Sequence, residues 1–520
     1  MKFTRSSGII LHPTSLPGPD GIGDLGPEAY RWIRFLKQSG FGLWQVLPLS
    51  PTGYGDSPYQ SFSAFAGNPF LISPTLLFEE DLLKEEDLSD RPNFPVDRVD
   101  YGPVIQWKET LLDRAYHRFK NLGSLRLEHE LDEFRAAEAS WLDDYALFMA
   151  IKASHKLVSW DHWPKPLRNR EPEALEKFRK ENPDDIQRHI FRQWLFFRQW
   201  SKLKDYTNAQ GIRIIGDIPI FVAYDSADAW SHPELFFMDE ERQPTFVAGV
   251  PPDYFSPTGQ LWGNPIYKWQ VHQQSGYAWW IERIRATLAR FDIIRLDHFR
   301  GFAGYWEIPA GMPTAENGRW APGPGMDLFV ALRNALKDLP IIAEDLGEIT
   351  PDVIELREAL GFPGMKVLHF AFQNDPNDPF LPHNYPVNCV AYSGTHDNDT
   401  TVGWYQHAPE KEKDFARRYL ARSGDDIAWD MIRLAWSSVA VFSIAPMQDF
   451  LSLGSEARMN LPGRPGGNWT WRVNSDQINE DLIVRIREMN TLYSRLLGQE
   501  ISDDPGKAIK VTTKAKDMLP

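Results

Sequence analysis

The sequence predicts a (β/α)8 TIM barrel with helical and loop insertions. Eight short apolar segments rich in β-branched residues are typical of buried strands, and most are separated by helical patterns. Polar and acidic residues follow several of these segments, at the strand ends where such barrels carry their active sites. A doubly wound open sheet is the alternative, but no glycine-rich phosphate-binding fingerprint follows any segment.

The eight predicted strands lie near residues 9, 44, 214, 293, 341, 367, 390 and 441. Pro27 at its start and Gly40 just past its end bracket the first predicted helix. The last one is an amphipathic helix around residues 482–497, after which the chain leaves no room for a C-terminal β-sandwich. We therefore expect residues 1–520 to form a single catalytic barrel domain, since barrels with insertions can exceed about 400 residues.

Two insertions are expected within this barrel. Residues 70–210 are charged and helical without a convincing strand, which predicts an inserted helical subdomain. Within it, the apolar stripe of residues 186–206 favours a packed helix face over a cofactor-binding surface. Residues 224–280 form the second insertion, in which we expect Tyr254 and Phe255 to lie on a loop that covers the substrate.

Composition excludes several classes of partner. A net charge of −15 gives no reason to expect nucleic acid or an anionic membrane surface. The longest apolar stretch, around Val439 to Pro446, is too short to span a bilayer, and no signal peptide is evident at the N-terminus. The single cysteine, Cys389, permits no internal disulfide and indicates a reducing compartment. We therefore predict a cytoplasmic location.

The segment around Asp297 is the first candidate site. Residues 291–294 form an apolar strand, after which Arg295, Asp297 and Phe299 alternate and so face one side. A carboxylate at the end of a buried strand is costly unless it is paired or used in chemistry. A structural Arg–Asp pair that caps the strand is the alternative explanation for this segment.

Three more acids, Asp217, Glu344 and Asp397, lie at other predicted strand ends. Four carboxylates at one barrel mouth have three uses, namely a divalent metal site, a carboxylate pair for acid/base chemistry, or saccharide binding. Arginine and histidine accompany the acids and the loops are rich in aromatic residues, which makes metal the less favoured use. We expect neither a metal nor a cofactor.

Glycoside cleavage needs one ionised and one protonated carboxyl group. Asp297 lies next to Arg295 and suits the ionised nucleophile. Glu344 follows the apolar residues 341–343 and suits an acid whose pKa is raised by desolvation.

Several motifs carry a resemblance that runs nearly end to end. The matching segments are 8–18, 44–49, 57–61, 216–219, 261–265, 295–298, 343–347, 394–398, 457–463 and 467–469. The chain resembles the α-amylase clan and, more narrowly, the 4-α-glucanotransferase family, also called amylomaltase or disproportionating enzyme. The resemblance implies a retaining transferase with an α-1,4-glucan oligosaccharide donor and a glucose or maltodextrin acceptor. An α-glucan hydrolase and a catalytically silent glucan-binding scaffold remain alternatives.

The resemblance also implies residue roles. Asp297 is implied to be the nucleophile, Glu344 the acid/base, and Asp397 the residue that holds hydroxyls of the sugar being cleaved. Arg295 and His396 are implied to support the nucleophile and the sugar. The implied substrate contacts are Tyr59, Asp217, Trp262 and Asn468. From the residues alone, Tyr59 and Trp262 would be core residues by default.

One position departs from the family pattern. His369 stands where the family usually has glutamine, which concerns a detail of donor or acceptor contact rather than the reaction. Three further polar residues have plain structural explanations: His12 as a hydrogen-bonding group within its loop, His298 as one at a strand end, and Asp345 as a residue on the face opposite to Glu344.

Overall fold

The computed structural model describes residues 3–252, 256–373, 375–464 and 466–498. Within them eight parallel strands form a closed barrel, and they are the eight that the sequence predicts. The barrel strands are β1 (Ser6–Ile10), β2 (Leu43–Gln45), β3 (Arg213–Pro219), β6 (Ile293–Asp297), β9 (Ile341–Ala343), β10 (Gly364–Val367), β11 (Cys389–Tyr392) and β12 (Phe442–Pro446). They pair in that order around the barrel, and β12 pairs with β1.

Helices surround the barrel. The α-helices are α1 (Pro27–Ser39), α2 (Pro74–Glu79), α3 (Glu85–Ser89), α4 (Tyr101–Leu122), α5 (Leu125–Ala137), α6 (Leu142–Ser154), α7 (Lys165–Arg168), α8 (Pro172–Glu181), α9 (Pro183–Ala209), α10 (Ala227–Ser231), α11 (Trp269–Gln274), α12 (Ala278–Arg290), α13 (Gly325–Leu336), α14 (Pro351–Leu360), α15 (Thr401–His407), α16 (Glu410–Leu420), α17 (Ile427–Ser437), α18 (Met447–Phe450) and α19 (Glu480–Leu492). Gly40 ends α1 in the left-handed conformation (φ 79°), which glycine adopts without steric cost.

The helical layer is irregular at residues 70–210 and again between β10 and β11. Residues 70–210 contain α2 to α9 and no strand, and α9 packs against α1 and β3 as part of the ring around the barrel. That this segment is a separate subdomain stays a prediction. Between β10 and β11 the described residues form only short 3-10 turns, so this crossover departs from the regular strand–helix alternation.

A second sheet lies outside the barrel. It is antiparallel, with the order β5-β4-β7-β8, and its strands are β4 (Phe246–Val250), β5 (Gln260–Pro265), β7 (Gly304–Pro309) and β8 (Arg319–Pro322). The sequence does not predict it, because glycine and proline inside these segments argue against strands. Tyr254 and Phe255 fall between β4 and β5 and lie outside the described residues.

Some strands are shorter than the apolar runs that predict them. The third run extends to residue 222, but β3 ends at Pro219. The sixth run extends to residue 372, but β10 ends at Val367 and a 3-10 turn, Leu368–Phe370, follows. Each shortened end lies at the barrel mouth, where the chain leaves the hydrogen-bonded ladder and enters the loops that build the site.

The barrel interior is a packed apolar core. Its members come from alternate positions of the strands, as a period of two requires. They include Ile10, Leu43, Ile215, Ile293, Ile342, Met365, Val390 and Ile444. After β12 the described residues contain helices and turns but no sheet strand. None of the helices in the described ranges is long and apolar enough to cross a membrane.

Candidate active site

The four predicted acids lie at the carboxyl ends of barrel strands. Asp217 belongs to β3, Asp297 ends β6, Glu344 follows β9 directly, and Asp397 comes five residues after β11. In the parallel register of β3 and β6, Asp217 lies opposite Arg295. Side chains opposite each other in parallel strands share a face, so the register brings these two groups together.

Arg295 joins two of the acids. Its Nη1 donates a hydrogen bond to Asp217 Oδ2 at 2.6 Å and forms an ion pair with Asp297 Oδ1 at 2.9 Å. Burial by itself lowers the pKa of Arg295, but the charges of Asp217 and Asp297 outweigh it and raise the pKa well above its ordinary value. Arg295 is therefore a fixed positive charge beside the carboxylate of Asp297.

Tyr59 connects this group to the end of β11. Its hydroxyl donates to Asp217 Oδ2 at 2.8 Å and lies 2.8 Å from His396 Nε2. A hydroxyl has one hydrogen, so the Tyr59 oxygen accepts from His396, whose Nε2 must carry a proton. The two rings are stacked with centroids 5.2 Å apart. Tyr59 therefore packs against the core and also joins the hydrogen-bonded group of Asp217 and His396, and its contact with substrate stays a prediction.

Glu344 is held by backbone amides. Its Oε2 accepts from the amide of His298 at 2.7 Å, and its Oε1 accepts from the amide of Leu346 at 3.0 Å. Burial and the nearby charge of Asp297 raise the pKa of Glu344 to about 8. His298 adopts a left-handed backbone conformation (φ 53°) at this point. That conformation is unusual for a residue with a side chain, and here it lies beside a candidate catalytic group.

The pKa of Asp297 is also raised. Burial raises its pKa to about 6, although the neighbouring charge of Arg295 acts in the opposite direction. The sequence predicts that pairing with Arg295 keeps Asp297 ionised, but desolvation raises the pKa of Asp297 by more than Arg295 lowers it. The order of the two pKa values still leaves Asp297 ionised and Glu344 protonated near neutral pH.

The pKa of Asp397 is shifted in the opposite direction. Burial alone would raise its pKa, but the charge and hydrogen bond of His396, together with a hydrogen bond from Asn460, hold the pKa well below its ordinary range. His396 Nε2 lies 3.2 Å from Asp397 Oδ2, and Asn460 Nδ2 donates to Asp397 Oδ1 at 2.7 Å. Asp397 is therefore a permanent carboxylate at neutral pH.

Two supporting residues carry no predicted role. Arg458 Nη2 donates to the backbone oxygen of Asp397 at 2.7 Å, and Arg458 Nε donates to the backbone oxygen of Asn460 at 2.7 Å. Together with the amide of Asn460, Arg458 fixes Asp397 from the segment after α18. The only sequence signal for them is that both fall within the matching segment 457–463.

The remaining predicted contacts are placed differently. Trp262 lies in β5 with its ring edge-on to His298, the centroids being 4.8 Å apart, so the second sheet brings an aromatic ring to the mouth. Asn468 bonds within its own loop, accepting from the amide of Leu461 and donating to the backbone oxygen of Arg464. Its contact with substrate stays a prediction, as do those of Tyr254 and Phe255, which lie outside the described residues.

One neighbouring acid, Asp345, lies apart from this network. Asp345 is paired with Arg357 and accepts from the amide of Met365 at 2.7 Å, so its carboxylate is used in packing.

In the part of the chain that the structure describes, no group of three or more His, Cys, Asp or Glu side chains is arranged to hold a metal ion.

The fold and the site together define a (β/α)8 enzyme that places two carboxyl groups of different pKa at the mouth of its barrel. A family model described as 4-alpha-glucanotransferase matches residues 11–478. The chain therefore belongs to the 4-alpha-glucanotransferase family, as its motifs predict, and it is an enzyme of that activity, acting on α-1,4-glucans.

Individual relatives agree with this assignment. The chain is 52% identical over 504 residues to a 4-alpha-glucanotransferase of Thermus thermophilus, covering 95% of this chain and 100% of the relative. It is 51% identical over 499 residues to that of Synechocystis, covering 95% and 99%. Among solved structures, an amylomaltase from Streptococcus agalactiae in complex with acarbose matches with a TM-score of 0.92 and 41% identity, over 94% of this chain and 99% of that one.

Proposed function

We propose that this enzyme transfers segments of α-1,4-glucan between maltodextrins with retention of configuration, through a covalent glucosyl-Asp297 intermediate. The proposal is supported by how the two carboxyl groups are placed. Asp297 is ion-paired with Arg295 at 2.9 Å, and Glu344 follows the neighbouring strand and accepts from the amides of His298 and Leu346. Burial raises the pKa of both groups, to about 6 for Asp297 and about 8 for Glu344. Near pH 7 such a pair supplies one carboxylate and one carboxylic acid. Retaining cleavage of a glycosidic bond requires that combination.

In the first step, a carboxylate oxygen of Asp297 attacks the anomeric carbon of the donor while Glu344 gives its proton to the glycosidic oxygen. The bond between that carbon and that oxygen breaks, and the leaving chain departs with a free 4-hydroxyl group. Arg295 supports this step, because its guanidinium lies 2.9 Å from Asp297 Oδ1 and fixes the position of the attacking carboxylate.

In the second step, the 4-hydroxyl of a glucose or maltodextrin acceptor attacks the same carbon and gives its proton to the carboxylate of Glu344. Asp297 then leaves as a carboxylate. Two inversions at one carbon amount to retention, and the enzyme returns to its starting protonation state. The two proposed reaction steps use no metal or cofactor.

Sugar binding is assigned to the other side of the mouth. Asp397 stays ionised, so it accepts hydrogen bonds from sugar hydroxyls, and His396 and Tyr59 lie beside it. Trp262 offers an aromatic ring at the mouth, of the kind on which sugar rings pack. The Streptococcus agalactiae relative is described in complex with acarbose, which supports a saccharide ligand here.

Hydrolysis is the second candidate, because water can release the same intermediate. Transfer requires that a sugar hydroxyl outcompete water, through acceptor positioning and restricted water access. The relatives named 4-alpha-glucanotransferases favour transfer. We assign the covering role to the segment between β4 and β5 that carries Tyr254 and Phe255. The predicted location is cytoplasmic.

The test is to incubate the purified enzyme with maltotriose and to resolve the products over time. Transfer predicts glucose together with chains longer than maltotriose, with little growth in total reducing ends. Hydrolysis predicts glucose and maltose alone, with reducing ends that rise steadily, and this result would overturn the proposal. A Glu348→Gln control removes an exposed carboxylate from the loop that follows Glu344 and should leave the product pattern unchanged.

A further inference from the structure

His369 lies directly behind the segment that carries His396 and Asp397. It follows β10 in a 3-10 turn, and the residue is only 7% exposed. The ring stacks on Trp404 of α15, with centroids 5.2 Å apart and an interplanar angle of 4°. It also lies against Gly394, where an added Cβ would come within 2.7 Å of His369 Cε1. The imidazole therefore fills the space under the start of the 394–400 segment.

One buried carboxylate holds both ends of that segment. Asp449 of α18 accepts from Ser393 Oγ at 2.6 Å, from the amide of Thr401 at 2.8 Å and from Thr401 Oγ1 at 2.7 Å. Burial raises the pKa of Asp449, whereas these three donated hydrogen bonds favour its ionised form. Ser393 and Thr401 flank residues 394–400, so Asp449 closes the segment at its base.

His369 belongs to this network as a hydrogen-bond donor to Thr401. His369 Nε2 lies 3.0 Å from Thr401 Oγ1. The single hydroxyl hydrogen of Thr401 is given to Asp449, so the Thr401 oxygen accepts, and His369 Nε2 must carry the hydrogen. Burial and the charge of Arg458 lower the pKa of His369 to about 3, so the ring is neutral. His369 is thus a neutral donor with one partner and one stacking surface.

We propose that His369 is a positioning residue for the groups that hold the sugar in its reacting geometry. Its Nε2–H acts through Thr401 and Asp449 to hold the 394–400 segment at the depth where His396 and Asp397 meet the sugar. This inference rests on the proposed function and deepens it. A misplacement of about 1 Å in a catalytic group can cost about 100-fold in rate, so a residue that does not touch substrate can act in this way.

The main variant is His369→Phe, which keeps a flat ring on Trp404 and removes the donor. We expect kcat for maltotriose disproportionation to fall roughly 10- to 100-fold, with KM changed by less than about threefold. His369→Gln should recover most of the rate, because its side-chain amide can donate from near the position of Nε2. His129→Phe changes an exposed histidine on α5 and serves as the matched control.

Two further measurements separate positioning from folding. Thr401→Val removes the hydroxyl between His369 and Asp449, so the loss in the double variant should not exceed that of the worse single variant. With α-maltosyl fluoride, a donor whose leaving group needs no protonation, His369→Phe should lose as much rate as with maltotriose, because the defect lies at the sugar and not at Glu344.

Three outcomes would overturn the inference: a His369→Phe rate within twofold of the parent, equal losses for His369→Phe and His369→Gln, or additive losses in the double variant. Each is distinct from a failure of the proposed function, in which the parent enzyme itself would form no chains longer than maltotriose. If His369→Phe fails to fold, the comparison of Thr401→Val with the parent tests the same connection.

Discussion

Two regions of the barrel mouth hold carboxyl groups in opposite ways. At the ends of β6 and β9, Asp297 and Glu344 have raised pKa values of about 6 and about 8, because burial dominates over the donors around them. At the end of β11, the pKa of Asp397 is held well below its ordinary range by His396 and Asn460. Burial raises the pKa in both regions, so the difference comes from the partners.

Within one cleft, similar side chains have different partners and therefore different charge states at neutral pH. Glu344 accepts from two neutral backbone amides, which cannot offset burial and the charge of Asp297. Asp397 forms an ion pair with the imidazole of His396, whose pKa its charge raises against the effect of burial, and it accepts a hydrogen bond from the side-chain amide of Asn460. The proposed function therefore gives proton exchange to the first region, whose pKa values lie near neutral pH, and sugar binding to the second, which stays ionised.

The largest effects are expected when one carboxylate in each region is neutralised. Asp297→Asn should reduce transfer at least about 10⁴-fold, because an amide cannot form the glucosyl intermediate. Asp397→Asn should cost less, since it weakens sugar binding without removing the reacting atom. Initial rates with maltotriose, with thermal unfolding as the check on folding, measure both. Equal losses, or near-parental activity of Asp297→Asn, would contradict the division.

The pH dependence tests the first region alone. As pH falls through about 6, Asp297 gains a proton and ceases to be a nucleophile; as pH rises through about 8, Glu344 loses the proton it must donate. We expect a bell-shaped profile of kcat/KM between these values. Glu344→Gln should lower activity about 10²- to 10⁴-fold and abolish the upper limb. An upper limb that persists in Glu344→Gln would assign that limb to another group.

The smallest expected effect comes from the partners of the second region. Asn460→Ala removes one of the hydrogen bonds that keep the pKa of Asp397 low, but His396 remains. We expect kcat/KM to fall roughly 10-fold, with the pH limits of Asp297 and Glu344 unchanged. A shift in the upper limb would show instead that Asn460 acts on the acid/base pair, and the two regions would then not be separate.

Local sequence patterns were enough to predict the barrel and its acids. Each barrel strand is a short apolar run, and the acids follow such runs, so the order of the elements along the chain already places Asp217, Asp297, Glu344 and Asp397 at one mouth. The second sheet was not predictable in this way. Its strands contain residues with weak strand propensity, such as Gly249 and Pro265. The hydrogen-bonded pairing of β4 with β5 outweighs that weak propensity.

The fold class and the identity of the acids therefore follow from local sequence patterns. How each acid is held depends on contacts between segments that are far apart in the chain. Tyr59 joins Asp217 to His396 across 158 and 337 positions, and Asn460 reaches Asp397 from beyond the last barrel strand. Periodicity is a property of one segment, whereas a pKa depends on burial and on the charges and donors that distant segments bring within about 4 Å.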